Sequence, residues 1–146
     1  MSLERLKLLH IDDEELRREE FGKWLTELGI NFDQASDEPT ALDLLQRNKY
    51  NVVLSDTYQD MEAYGPEIMR KAENLGIKPV VIAYSAFSLH NWRDHYDHSL
   101  NLNQGKQKIK DELQKTLQEI HDNIPPSVTE RSKSFLYGLR GGVKNE

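Results

Sequence analysis

The feature that most constrains this chain is the stretch Asn51-Val52-Val53-Leu54-Ser55-Asp56, a short β-branched apolar run that ends on one carboxylate. A run of this length, almost without polar residues, reads as a strand buried on both faces, as in parallel sheets covered by helices on either side. Asp56 then lies at the carboxyl end of the strand, the edge at which open α/β sheets bind ligands. A second apolar run, Leu6-Lys7-Leu8-Leu9-His10-Ile11, delivers Asp12-Asp13 in the same way. If the two strands are neighbours, three carboxylates converge on one edge.

The remaining segments supply the covering helices and further strands. Asp13-Glu14-Glu15 opens a helix with Phe21, Trp24, Leu25 and Leu28 inward, and Gly29 stops it. Ile30 to Ala35 reads as a short strand, more exposed and so nearer an edge. Ser36-Asp37-Glu38-Pro39 caps a helix with Ala41, Leu42, Leu44 and Leu45 inward. Thr57 to Tyr64 reads as a polar loop. Pro66-Glu67 starts a third helix on Ile68, Met69, Ala72 and Leu75, closed by Gly76. Pro79 to Tyr84 is a second fully buried strand ending at Ser85-Ala86, and Leu89 to Tyr96 a polar, His-rich helical segment. Ser99 to Asn103 is a short strand, and Lys106 to Ile120 a helix on Ile109, Leu113, Leu117 and Ile120.

Five alternations of strand and helix predict an α/β fold: a doubly wound five-stranded parallel sheet with right-handed crossovers and helices on both faces. Residues 1–124 form one domain in this reading. Pro125-Pro126 ends the pattern, and residues 125–146 form a tail that either docks as a helix or stays flexible.

Composition narrows the chemistry. The absence of cysteine removes disulfides, thiolate catalysis and cysteine-type zinc sites. A net charge of −6 argues against broad nucleic-acid binding, although a local basic patch remains compatible with it. No run has membrane-spanning length and no signal-peptide pattern opens the chain, so a cytoplasmic location is expected. Three carboxylates in one pocket repel one another unless a cation joins them, and Mg²⁺ is a natural choice. A metal beside an aspartate can receive a phosphoryl group, the aspartate being the nucleophile.

Leu9-His10-Ile11-Asp12-Asp13-Glu14 with the Phe21-Trp24-Leu25-Gly29 helix, Asp33 to Leu42, and Asn51 to Asp56 together resemble the receiver domain of two-component response regulators, over about Leu6 to Leu117. The resemblance implies a flavodoxin-like strand order 2-1-3-4-5. It also implies phosphoryl transfer from a histidine kinase or phosphotransfer protein to Asp56, with slow self-dephosphorylation. Mg²⁺ would be held by Asp12, Asp13, Asp56 and the backbone carbonyl of Tyr58, and Ser85 would be the switch hydroxyl. A downstream protein target is implied, and homodimerisation is left open. The chain departs from the family pattern at several places. Gln59-Asp60 replaces a Met-Pro step, Gly65 comes late, and the strand before Ser85 is one residue longer. Asn103 stands where the family has a lysine, and Leu100 where it has an aromatic residue.

Two rivals to the phosphoacceptor follow from those departures. One is a pseudo-receiver that acts as a phosphorylation-independent interaction module. The other is a metal-dependent phosphatase, disfavoured because Tyr58 stands where that chemistry wants an acid. The group His90, Asp94, His95, Asp97 and His98 reads as a solvated face rather than a metal site, and His10 as a satisfied core histidine. Trp24 fits a core stripe, and Trp92 a surface anchor.

Overall fold

The computed structural model describes residues 3–56, 58–59, 62–63, 65–85 and 96–124. In chain order these form β1 (Lys7–Ile11), α1 (Glu15–Glu27), β2 (Asn31–Ala35), α2 (Glu38–Arg47) and β3 (Val52–Asp56). There follow β4 (Tyr58–Gln59), β5 (Glu62–Ala63), α3 (Gly65–Asn74), β6 (Val80–Ser85), β7 (His98–Asn101) and α4 (Lys106–Asn123). β1, β2, β3, β6 and β7 make one parallel sheet in the order β2-β1-β3-β6-β7, which is the predicted 2-1-3-4-5 when sheet strands alone are counted.

The side-chain alternation of the central strands divides the core in two. Leu8, Val52, Leu54, Ile82, Tyr84 and Leu100 face α1 and α4, where they meet Phe21, Leu25, Ile109, Leu113, Leu117 and Ile120. Leu9, Ile11, Val53 and Val81 face α2 and α3, against Ala41, Leu45, Ile68, Met69 and Ala72. The runs that looked uniformly apolar in sequence are those covered on both sides. β2, read as the more exposed strand, lies at a sheet edge with only Ala35 fully buried.

Helix ends follow their local chemistry. The Asp37 carboxylate accepts the Thr40 N–H at 2.8 Å and so caps α2. After α1 and α3 the chain turns at Gly29 and Gly76, whose φ values of 74° and 80° lie in the left-handed region that glycine adopts without strain.

Several expectations are corrected. Part of the segment read as a loop after β3 forms an antiparallel hairpin of β4 and β5; strands of two residues are too short to leave an alternation signal. Leu75 is 56% exposed because α3 ends at Asn74, before the inward stripe reaches it. β7 runs from His98 to Asn101 rather than from Ser99 to Asn103. The Asn101 side chain accepts the Asn103 N–H at 2.7 Å, a local turn that competes with further pairing. The helical segment expected over Leu89 to Tyr96, apart from Tyr96 itself, which is not helical, lies outside the described residues, as do Trp92, most of the His-rich group and the tail. Among the described residues no helix is long and apolar enough to cross a membrane.

Candidate functional site

Parallel pairing sets Ile11 beside Ser55 and Asp56 beside Tyr84. Asp12, one residue beyond Ile11, therefore joins Asp56 and Tyr84 in a row at the carboxyl edge of the sheet. One oxygen each from Asp12, Asp13 and Asp56 lies within 4.8 Å of the others. Asp12 and Asp56 are buried and Asp13 is half-buried.

A cation already stands among these acids. Arg17, in the first turn of α1, places Nη1 3.0 Å from Asp56 Oδ2 and 3.2 Å from Asp12 Oδ2, while its Nη2 lies 2.7 Å from Glu14. Its guanidinium carbon is 6.0 Å from the centroid of the Tyr84 ring. A cation at a helix N-terminus opposes the helix dipole by about 0.3–1 kcal/mol. Leaving buried carboxylates without a partner costs about 3–5 kcal/mol, so the ion pairs decide where Arg17 goes.

Asp12 is held by a chain of hydrogen bonds that crosses the core. The Tyr84 hydroxyl donates to Asp12 Oδ2. Having given up its only proton, it must accept from His10 Nε2, 2.8 Å away. His10 Nδ1 is then the acceptor for Gln34 Nε2 at 3.0 Å. The second Gln34 amide proton goes to the Arg18 carbonyl at 2.8 Å, and Arg18 Nη1 returns to the Asp12 carbonyl at 2.9 Å. One histidine tautomer thus satisfies every partner. Burial, with the charges of Arg18 and Arg17 behind it, pushes the His10 imidazole down to about 3 and keeps it neutral. Burial and then the Asp12 charge push the Tyr84 hydroxyl well above its ordinary value. His10 is therefore a satisfied core histidine.

Both Asp12 carboxylate oxygens are consequently engaged twice. Oδ1 accepts the Glu14 N–H at 2.8 Å and a longer contact from Arg17 at 3.4 Å; Oδ2 accepts from Tyr84 and from Arg17. Three neighbouring carboxylates are a donor set of the hard-oxygen kind that Mg²⁺ takes. In this arrangement Arg17 takes up lone pairs of Asp12 and one oxygen of Asp56, so a divalent ion joining the three acids would have to displace the guanidinium from them.

The other expected site residues are distributed as follows. Ser85 is buried at the end of β6, and strand alternation sets it on the sheet face opposite Tyr84. Tyr58 begins β4, just past Asp56. Asn103 is exposed in the turn beyond β7. Arg17, Tyr84 and Gln34 were not read as site residues. Arg17 did carry a signal: it lies on the inward stripe of Phe21 and Trp24, where a charge needs a buried partner. Tyr84 carried another, a hydroxyl at the end of a fully buried strand.

No family model matches the sequence, and no curated protein sequence matches it. Solved structures do. The receiver domain of Francisella response regulator 1452 is 24% identical with a TM-score of 0.68, over 80% of this chain and 97% of that one. Vibrio cholerae chemotaxis protein CheY4 is 19% identical with a TM-score of 0.68, over 79% and 98%. The receiver domain of a Pseudomonas aeruginosa sensor histidine kinase, with magnesium coordinated in its active-site cleft, is 20% identical with a TM-score of 0.64, over 81% and 98%. The chain therefore has the fold of the response-regulator receiver domains.

Proposed function

We propose that this chain is a receiver-fold interaction module of two-component signalling whose acidic edge is partly offset by its own Arg17. It would engage protein partners, a histidine kinase or phosphotransfer protein on one side and a downstream target on the other, without requiring a phosphoryl group on Asp56. The supporting observation is the Arg17 Nη1 position, within 3.2 Å of both Asp12 and Asp56. A covalently tethered guanidinium in that place competes with any divalent ion and screens the Asp56 oxygen from an incoming phosphoryl donor. The absence of a lysine at Asn103 points the same way, since the lever that would couple phosphate to the surface lacks its charge.

A second reading keeps Asp56 as phosphoacceptor, with Asp12, Asp13 and the Tyr58 carbonyl as Mg²⁺ ligands, Ser85 as switch hydroxyl and Asn103 in the lysine position. Charge counting favours it: one guanidinium offsets one of three carboxylates, so the edge keeps negative charge.

Intact-mass measurement after incubation with acetyl phosphate and Mg²⁺ separates the two. The proposal expects no Mg²⁺-dependent adduct on the unaltered chain. It also expects Arg17→Met to gain Mg²⁺ binding by calorimetry and, without Mg²⁺, to lose about 3 kcal/mol of stability. A Mg²⁺-dependent adduct on the unaltered chain that disappears in Asp56→Asn establishes the second reading instead.

A further inference from the structure

The opposite edge of the sheet carries a feature that the acidic site does not use. The segments leading into β3 and β6 enclose, with the C-terminal ends of α2 and α3, an open concavity of about 650 Å³. Among the described residues that line it are Arg47, Lys49 and Lys78, and none is acidic. In a protein of net charge −6 this is a local reversal of sign. Arg47 pairs with Asp43, so the unneutralised charge belongs to Lys49 and Lys78, both exposed and without an ion-pair partner among the described residues. The dipole of α2 favours a cation near Lys49, which directly follows its C-cap Asn48, but no helix dipole accounts for Lys78. That effect is confined to the last turn, and Lys78 lies well past Asn74, where α3 ends.

The same concavity has an apolar side. Leu75, 56% exposed, is one of two large hydrophobic residues left open to solvent among the described residues, and Ile77 and Tyr50 continue its surface inward. The Tyr50 ring is fixed from beneath: its hydroxyl donates to Asp33 at 2.6 Å, and Lys7 Nζ lies 5.4 Å from its centroid. Two free cations beside an exposed leucine over a rigid floor match a ligand that brings carboxylates and an apolar side chain together. A phosphodiester backbone would use the lysines and leave Leu75 wet. The chain's own tail is a poor occupant by charge, because residues 127–146 hold four basic residues against two acidic ones.

We propose that this concavity at the amino-terminal edge of the sheet docks an acidic peptide segment of a partner protein, with its carboxylates on Lys49 and Lys78 and an apolar side chain on Leu75. The inference is independent of what happens at Asp56, since the two edges lie at opposite ends of the strands.

The test uses the full chain and a fluorescein-labelled synthetic peptide of Asp and Glu residues interrupted by two leucines. Fluorescence anisotropy is expected to show saturable binding that weakens with salt, and amide resonances of Leu75, Gly76 and Lys78 are expected to shift. Reversing both charges, Lys49→Glu with Lys78→Glu, is expected to weaken binding by about tenfold. Leu75→Ser, or serine in place of the peptide leucines, is expected to weaken it as well. Absence of saturable binding, binding indifferent to these variants, or shifts confined elsewhere would each overturn the proposal. Equal binding of a single-stranded oligothymidylate would overturn it in favour of a nucleic-acid surface. Dimerisation in sedimentation that is lost in the double variant would overturn it in favour of a second copy of this chain.

Discussion

The two faces of the sheet are built from different materials. The face toward α2 and α3 is mainly aliphatic, with Leu9, Ile11, Val53 and Val81 against alanine, leucine, isoleucine and methionine side chains and Tyr50 at its margin. The face toward α1 and α4 holds Phe21, Trp24, Tyr84 and His10, whose ring centroids lie 4.9 to 5.9 Å apart in successive pairs. Through it runs the polar line from Gln34 to Asp56. Apolar packing is non-directional and tolerates exchange of similar volumes. A buried hydrogen-bonded line does not, because removing one member leaves the next with an unpaired polar atom. The same backbone scaffold thus carries an adaptable side and a specified side, and the acids open from the specified one.

The sharpest way to break this contrast is to lower the pH. Folded His10 titrates near 3 and an unfolded histidine near 6.5, so between those values the unfolded chain binds the extra proton. The stability tied to His10 is therefore intact above about pH 6.5 and falls by about 1.4 kcal/mol per unit below it, or about 3 kcal/mol by pH 4.5. Imidazole ¹⁵N shifts should show neutral His10 with the proton on Nε2 across that range. A protonated ring in the folded state at pH 5 would dissolve the proposed line. Tyr84→Phe comes next. It removes one oxygen and no shape, yet should cost about 2 kcal/mol in denaturant unfolding, because Asp12 and His10 both lose a partner. The smallest effect belongs to the other face: Leu9→Met should cost under about 1.5 kcal/mol. If Leu9→Met were the costlier of the two, the division of labour between the faces would be wrong.

What could be read from the sequence follows the same division. The helices and central strands were legible because aliphatic packing writes itself as periodicity: Ile109, Leu113, Leu117 and Ile120 recur at the three-and-four spacing of a helix and share one buried face. The convergence of Asp12, Asp13 and Asp56 was legible because two buried strands of the same kind each end on acid. Arg17 was legible only as a charge on the inward stripe of Phe21 and Trp24; which acids it meets was not, since Asp12 and Asp56 come from other parts of the chain. Tyr84 was hidden by the uniformity of its own strand. The end of β7 was lost to Asn101, whose side chain offers a turn in place of the next ladder bond. The hairpin of β4 and β5 is simply shorter than any pattern.

The strand order has a consequence for how the chain is made. Of the sheet strands β1 is made before the others and becomes an inner strand, with β2 closing one flank and β3, β6 and β7 added outward on the other in the order of their synthesis. Each later strand adds at a free flank beside a strand made before it, so no pairing has to be broken to insert one. The acids that follow β1 must wait for Asp56, whereas Arg17 arrives a few codons behind them, so the nascent site has a counter-charge before its last carboxylate exists.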